Sequence, residues 1–253
     1  MKWSSFAPEA WEYWELHDAT STETINHGDW DSLLKDYVKP DETGLNRFAY
    51  GAVSDTDKAK LASYIDTLET VEVTSLNRDE QLAYWLNLYN ALTIKVVLDH
   101  YPVSSIKDID ISGLLANGPW KAELIFVEDV EMSLDAIEHE ILRPIWNDPR
   151  IHYGVNCASI GCPNLHTAAF EASTVDDTLT TLARDFVNHP RGVSFDGGDV
   201  IVSSIYSWFA VDFGNSNATV LEHIKTYADP ELKAQLDTID RISDHSYDWT
   251  LNE

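Results

Sequence analysis

Both cysteines of this 253-residue chain fall in one short segment, Asn156-Cys157-Ala158-Ser159-Ile160-Gly161-Cys162-Pro163. A cysteine held on a loop attacks carbonyl carbon as a thiolate when a base, a cation or a helix end lowers its pKa. Backbone amides near Ser159 would then face the oxyanion that forms. The same spacing allows a Cys157–Cys162 disulfide that closes a small loop, or a buried, inert thiol. A metal reading also arises, because His166 follows soon after. Its spacing does not match paired-cysteine zinc ribbons and a fourth ligand is not evident, so no metal or other cofactor is assigned.

Support for Cys157 is sought on the helix that Ser133 should cap. Its apolar positions are Leu134, Ile137, Ile141, Leu142 and Ile145. At helical spacing they share one face, and Glu138 falls within it, while His139, Glu140 and Arg143 point away. A carboxylate on a core face needs a partner or stays protonated. Glu138 is therefore expected to orient a catalytic group or to anchor a turn. His139 is the helical histidine nearest to the cysteine segment and is the candidate base, provided that its side of the helix lines a cleft. His152 reads as lying on the same strand as Cys157. Five extended residues span roughly 16 Å and put the two side chains on opposite faces, so they form no dyad unless the strand breaks.

Asn87 and Asn90 are one turn apart on an otherwise apolar helix. Buried amides must find partners. They either bind loop backbone, or present hydrogen bonds to a substrate and orient a histidine.

The elements that position these groups follow from periodicity. Residues 8–17 read as a helix with Pro8 in its first turn, residues 29–38 as a second, and 58–68 as a third. The strongest begins at Asn77, with Glu80 three residues on as in a capping box, and stops before Pro102. It is apolar nearly all round and should be central. The helix after Ser133 should end at Pro144, and residues 150–156 should form a strand that enters the cysteine loop. A helix over 175–188 precedes a hairpin, Val193-Ser194-Phe195 and Val200-Ile201-Val202 around Asp196-Gly197-Gly198-Asp199. Two or three helices follow, and Tyr247–Leu251 is a candidate strand. The expected class is α+β: a helix-rich single domain with a small, mainly antiparallel sheet. Residues 1–28 read as a helical extension packed on a domain of residues 29–253.

There are 43 acidic against 17 basic residues, a net charge of −26. Such a chain is repelled by nucleic acid and by anionic membranes, and neither is expected as a partner. The acids are spread along the chain, which reads as adaptation to high salt; the alternatives are a cation-binding surface or a basic partner. No segment has the length of a membrane span. The first residues lack an apolar signal-peptide region, so the chain reads as cytoplasmic unless it is the mature form of an exported protein. Phosphate-cradling glycine loops, dinucleotide fingerprints, HExxH and serine-hydrolase elbows are absent from the sequence.

The chain resembles the family catalogued as domain of unknown function 547 (DUF547). The resemblance rests on Tyr84-Trp85-Leu86-Asn87-Leu88-Tyr89-Asn90-Ala91-Leu92-Thr93, Tyr101-Pro102-Val103, and Ile137-Glu138-His139 with Leu142-Arg143-Pro144. It continues through Arg150-Ile151-His152, Val155-Asn156-Cys157-Ala158-Ser159, Gly161-Cys162-Pro163, Ser204-Ile205-Tyr206, Trp208-Phe209 and Tyr247-Asp248-Trp249. It implies no established activity. A distant likeness to papain- or transglutaminase-like thiol enzymes would require a permuted order, because here the cysteine follows the central helix.

The functional expectation is a thiol-dependent hydrolase or acyl transferase acting on a small-molecule or peptide-like substrate. Cys157 is its nucleophile, His139 its base and Glu138 an orienting carboxylate, with Asn87, Asn90 and Ser159 toward the substrate. The alternatives are a non-catalytic binding or scaffold domain with a structural Cys157–Cys162 disulfide, and a metal-binding module.

Overall fold

In the computed structural model, residues 11–113 and 117–253 are described. The sequence expectation of a helix over 8–17 falls partly outside them; within them a 3-10 turn spans Glu12–Glu15. Helix α1 (Gly28–Tyr37) leads into a hairpin of β1 (Val38–Pro40) and β2 (Asn46–Phe48). Helix α2 (Asp55–Glu69) follows, then α3 (Arg78–His100). Asn77 caps α3 by accepting the Glu80 N–H at 3.0 Å. The Glu80 carboxylate does not close a capping box. It accepts the Ile25 N–H at 2.8 Å instead and ties the segment before α1 to the start of α3.

Helix α3 is buried around its whole circumference from Glu80 to Ile94, as an apolar helix without a polar face should be. Trp85 stands edge-on to both Trp14 and Tyr84 in the core. Against α3 pack α2 and the helix that Ser133 caps, while α1 and β3 (Ile125–Val127), which pairs with β4 (Val130–Met132), pack on α2.

That helix has three parts: α4 (Leu134–Ala136), a π-helical segment (Ile137–Leu142) and α5 (Arg143–Trp146). It runs through Pro144, where it was expected to stop. Proline leaves the carbonyl four residues earlier, that of Glu140, without its helical donor. The Trp11 N–H fills this place at 3.0 Å.

Residues 150–156 are not a strand. Asp148 accepts the Arg150 N–H through Oδ1 and the Ile151 N–H through its carbonyl, and this turn starts α6 (Ile151–Gly154). Val155, which follows it, is extended. The run from Ile151 to Asn156 is buried on every side, so its composition alone does not distinguish strand from short buried helix.

Helix α7 (Val175–Val187) precedes the hairpin of β5 (Val193–Asp196) and β6 (Asp199–Ser203). Gly197 and Gly198, both at positive φ, make its turn. After α8 (Ile205–Trp208), α9 (Asn217–Tyr227) and α10 (Pro230–Leu236) comes β7 (Asp244–Ser246), parallel to β6. The three other strand pairs are antiparallel. The domain is thus a helix-rich α+β fold with small, mainly antiparallel sheets. The third strand of the last sheet lies just before the expected Tyr247–Leu251. Among the described residues no helix is long and apolar enough to cross a membrane.

Candidate functional site

The cysteine loop is held from two sides. From the central helix, Asn90 donates to the Gly154 carbonyl (2.9 Å) and accepts the Asn156 N–H (2.9 Å). Asn87 does the same to Phe170, through its N–H and its carbonyl. Both asparagines are buried and anchor loop backbone with their side-chain amides. From the other side comes the C-terminal tail. Ile160 N–H donates to Thr250 O (2.8 Å), Gly161 N–H to Asp248 O (2.8 Å), and Asn252 N–H to Ala158 O (3.2 Å). A Cβ on Gly161 would sit within 2.9 Å of Asp248 backbone, so glycine permits this close approach.

Ala158, directly after Cys157, is buried and sits at φ 57°. A non-glycine residue in the left-handed region is strained and persists only when its surroundings enforce it. Here Asn156 Oδ1 accepts the Ala158 N–H at 2.9 Å, and the tail takes its carbonyl. The amides of Ala158, Ile160, Gly161 and Cys162 are therefore all engaged within the protein. The backbone amides expected near Ser159 as oxyanion donors are thus largely engaged, and the other donors beside the sulfurs are hydroxyl groups.

Those hydroxyls meet at Tyr247. Its Oη lies 3.0 Å from Cys157 Sγ, 2.9 Å from Ser159 Oγ and 3.2 Å from Cys162 Sγ. Ser159 Oγ is itself 3.3 Å from Cys157 Sγ. The two sulfurs are in bonding contact as a disulfide, with Cα atoms 6.3 Å apart. Cys157 is half-buried and Cys162 buried. Burial pushes the Tyr247 phenol above its ordinary pKa, so it stays protonated and acts as a donor.

Beyond Tyr247 lies a second polar cluster. Glu138 is buried, as helical phase predicted, and accepts the Tyr89 hydroxyl at 3.0 Å. The charge of Glu138 also acts on Tyr247. Its other oxygen is 3.8 Å from both His152 Nδ1 and His139 Nδ1. His152 Nε2 bonds Asp212 at 2.6 Å, and Arg143 clamps the same carboxylate at 2.6 and 3.1 Å. Phe209 covers the cluster, with its ring stacked on His152 at 4.3 Å and under the Arg143 guanidinium at 4.8 Å. Burial alone would raise the Asp212 pKa. The hydrogen bonds from His152 and Arg143 outweigh it and hold the carboxylate at about 2.

His139 is not placed as a base for Cys157. Its Nδ1 is 3.1 Å from Arg143 Nη1 and its Nε2 3.8 Å from Asp135, whereas the hydrogen-bond partners of the Cys157 sulfur are Ser159 and Tyr247. The π-helical segment carries both Glu138 and His139, an irregularity that recurs at functional sites. His166 Nδ1 lies 2.8 Å from the Ala168 carbonyl. Among the described residues no group of three or more His, Cys, Asp or Glu is arranged to hold a metal ion.

Tyr247 and Asp212 were not singled out from the sequence. Tyr247 was visible only as part of the closing Tyr-Asp-Trp resemblance, and Asp212 carried no signal. Trp208 and Phe209 join the two clusters: Trp208 packs 4.7 Å from Tyr247, and Phe209 roofs His152. Trp249 stacks on Trp208 at 5.6 Å and meets Trp120 edge-on at 5.8 Å, which extends an aromatic wall from the cysteine loop.

Residues 73–187 match the family model described as protein of unknown function, DUF547. The match runs from the turn before α3 to the end of α7 and includes Asn87, Asn90, Glu138, His139, His152, Cys157 and Cys162. No curated protein and no solved structure shows significant similarity to the chain.

Proposed function

With no activity to carry over from that family match, we propose that the protein is a thiol-dependent hydrolase or acyl transferase whose nucleophile is Cys157. The observation that carries this reading is the half-exposed Cys157 sulfur facing the Tyr247 and Ser159 hydroxyls, on a loop whose next residue is held in a strained conformation. In the reduced protein these hydroxyls stabilise a thiolate without a histidine partner. The thiolate adds to the carbonyl carbon of an acyl donor, and the Tyr247 O–H then faces the developing oxyanion. Departure of the leaving group gives an acyl-thioester on Cys157, which water or another acceptor resolves. Glu138, His152 and Asp212 form a fixed polar floor behind Tyr247.

The reading is tested with reduced protein and an activated ester as a chromogenic acyl donor. Cys157→Ser is expected to abolish the burst of released alcohol and the acyl adduct seen by mass spectrometry, while Cys162→Ser keeps both. An adduct that persists in Cys157→Ser removes the proposal. A second reading, a non-catalytic domain with a structural disulfide, is favoured by the bonded sulfurs and the tail clamped to their loop. It predicts that the reduced protein forms no adduct at either cysteine.

The charge of −26 supports a protein suited to high salt, where ions screen self-repulsion. Its thermal midpoint is expected to rise as potassium chloride is raised from about 0.1 M to about 1 M, a range over which the Debye length shrinks from ~10 to ~3 Å. A flat response would exclude this reading.

A further inference from the structure

The surroundings of the two sulfurs differ in a way that acyl transfer does not require. Cys157 is half-buried and is the more exposed of the pair. Cys162 is buried at 4% exposure. The buried sulfur is nevertheless surrounded by donors: the Cys157 N–H points at Cys162 Sγ at 3.0 Å, and the Tyr247 O–H reaches it at 3.2 Å. A bonded sulfur is a poor acceptor and gains little from such donors. A thiolate gains a great deal from them.

Arg191 adds a positive charge to the same loop. Its guanidinium donates to the Ile160 carbonyl (3.2 Å) and to Asn164 Oδ1 (2.6 Å), on either side of Cys162 in the chain. Both acceptors are neutral. Among the described residues Asp41 and Asp185 act on Arg191 through space, and its Nε is buried without a partner. Burial pulls its pKa down to about 10, so it remains a cation at neutral pH. A shielded cation bonded only to neutral groups is costly unless an anion forms nearby. The anionic groups that face this region are Glu138 and Asp248, both acting on Tyr247, together with Asp41 and Asp185.

We infer that Cys157–Cys162 is an exchangeable disulfide, in which an incoming thiolate attacks Cys157 and Cys162 leaves as a thiolate received by the Cys157 amide, the Tyr247 hydroxyl and the field of Arg191. The protein then carries a thiol–disulfide exchange activity toward a dithiol partner. In the first step the S–S bond between the partner and Cys157 forms, the Cys157–Cys162 bond breaks, and its electron pair stays on Cys162. In the second step the partner's other thiolate attacks its own bonded sulfur and releases Cys157 as a thiolate. The dithiol is oxidised by two electrons and the cystine is reduced by two. Protons lost by the dithiol are available to the two cysteines. A stabilised leaving thiolate departs faster and favours the reduced form. The inference concerns the same loop as the acyl-transfer proposal but does not depend on it, because exchange needs no acyl donor.

The experiment equilibrates the native, oxidised full chain in glutathione redox buffers, quenches with acid, alkylates free thiols and locates them by mass spectrometry. The cystine is expected to open without denaturant, and in Cys162→Ser a glutathione adduct should accumulate on Cys157. Tyr247→Phe and Arg191→Met should each move the equilibrium toward the disulfide by roughly tenfold, about 30 mV for this two-electron couple. Arg191→Lys, which keeps the charge, should recover most of that shift, and thermal melts confirm that each variant is folded. A cystine that opens only in denaturant would overturn the inference. So would folded Tyr247→Phe and Arg191→Met variants with the wild-type equilibrium. Loss of acyl transfer with exchange intact would remove only the hydrolase reading.

Discussion

Asp212→Ala is expected to destabilise the protein by about 3–5 kcal/mol, the cost of leaving buried charge without its partner. The carboxylate lies between Arg143, which donates to both of its oxygens, and His152. The Arg143 side chain is 8% exposed and that of His152 only 2%, so water cannot replace the lost acceptor. Asp212 also joins the loop after α8 to α5 and α6, so its loss loosens the contact between these elements. Chemical denaturation of the variant measures the effect. A loss below about 1 kcal/mol would place the pair among ordinary surface ion pairs. Pairing Asp212→Leu with Arg143→Met should recover part of the stability, because the double variant leaves no uncompensated cation. The pKa of Asp212 is depressed in the fold, to about 2. Its own contribution is therefore present above the ordinary aspartate value near 3.8 and is lost as pH falls from there through about 2.

A larger loss is expected at milder acidity, from two other groups. His27 and His223 both have their pKa pulled from 6.5 to about 4, by burial above all. His27 is bonded through Nδ1 to Tyr64 at 2.7 Å, and its Nε2 is buried without a partner. His223 accepts from or donates to the Tyr153 hydroxyl at 2.8 Å within a ring of Tyr153, Tyr206, Phe213 and Tyr227. Among the described residues neither site offers a charged ring an anionic partner within hydrogen-bond reach. The sign follows from linkage: below pH 6.5 the unfolded chain binds protons that the folded protein refuses, so stability is present above about 6.5 and falls until pH reaches about 4. At 1.36 kcal/mol per pKa unit the loss is about 3 kcal/mol for each histidine. Denaturant titrations at several pH values should show the decline, and His223→Phe, which suits its aromatic surroundings, should remove about half of it. An unchanged slope in that variant would refute the assignment.

Much of the framework was legible in the sequence. The capped start of α3 at Asn77, its burial on all sides, the hairpin at Gly197-Gly198 and the inward turn of Glu138 all follow from local rules. Periodicity, caps and turn residues operate within a few positions, and a single sequence displays them. The same local rules misread two places. Residues 151–156 are buried on every side, and a uniformly buried run has no period to distinguish helix from strand. The helix through Pro144 survives because Trp11 donates to the Glu140 carbonyl, and that donor lies far away in the chain. The three-residue strands β1 to β4 are too short to display an alternation.

By itself, then, the sequence determined a helix-rich α+β domain, a cysteine loop and an inward carboxylate, because each depends on residues close together in the chain. The tertiary structure alone decided the company these groups keep. Tyr247 reaches Cys157 across 90 positions, and His152 reaches Asp212 across 60. No spacing rule links residues that far apart, since their contact is set by how the tail pairs with the cysteine loop and how the loop after α8 meets α6. That packing put a phenol, not a histidine, beside Cys157. It also surrounded the buried sulfur of Cys162 with donors.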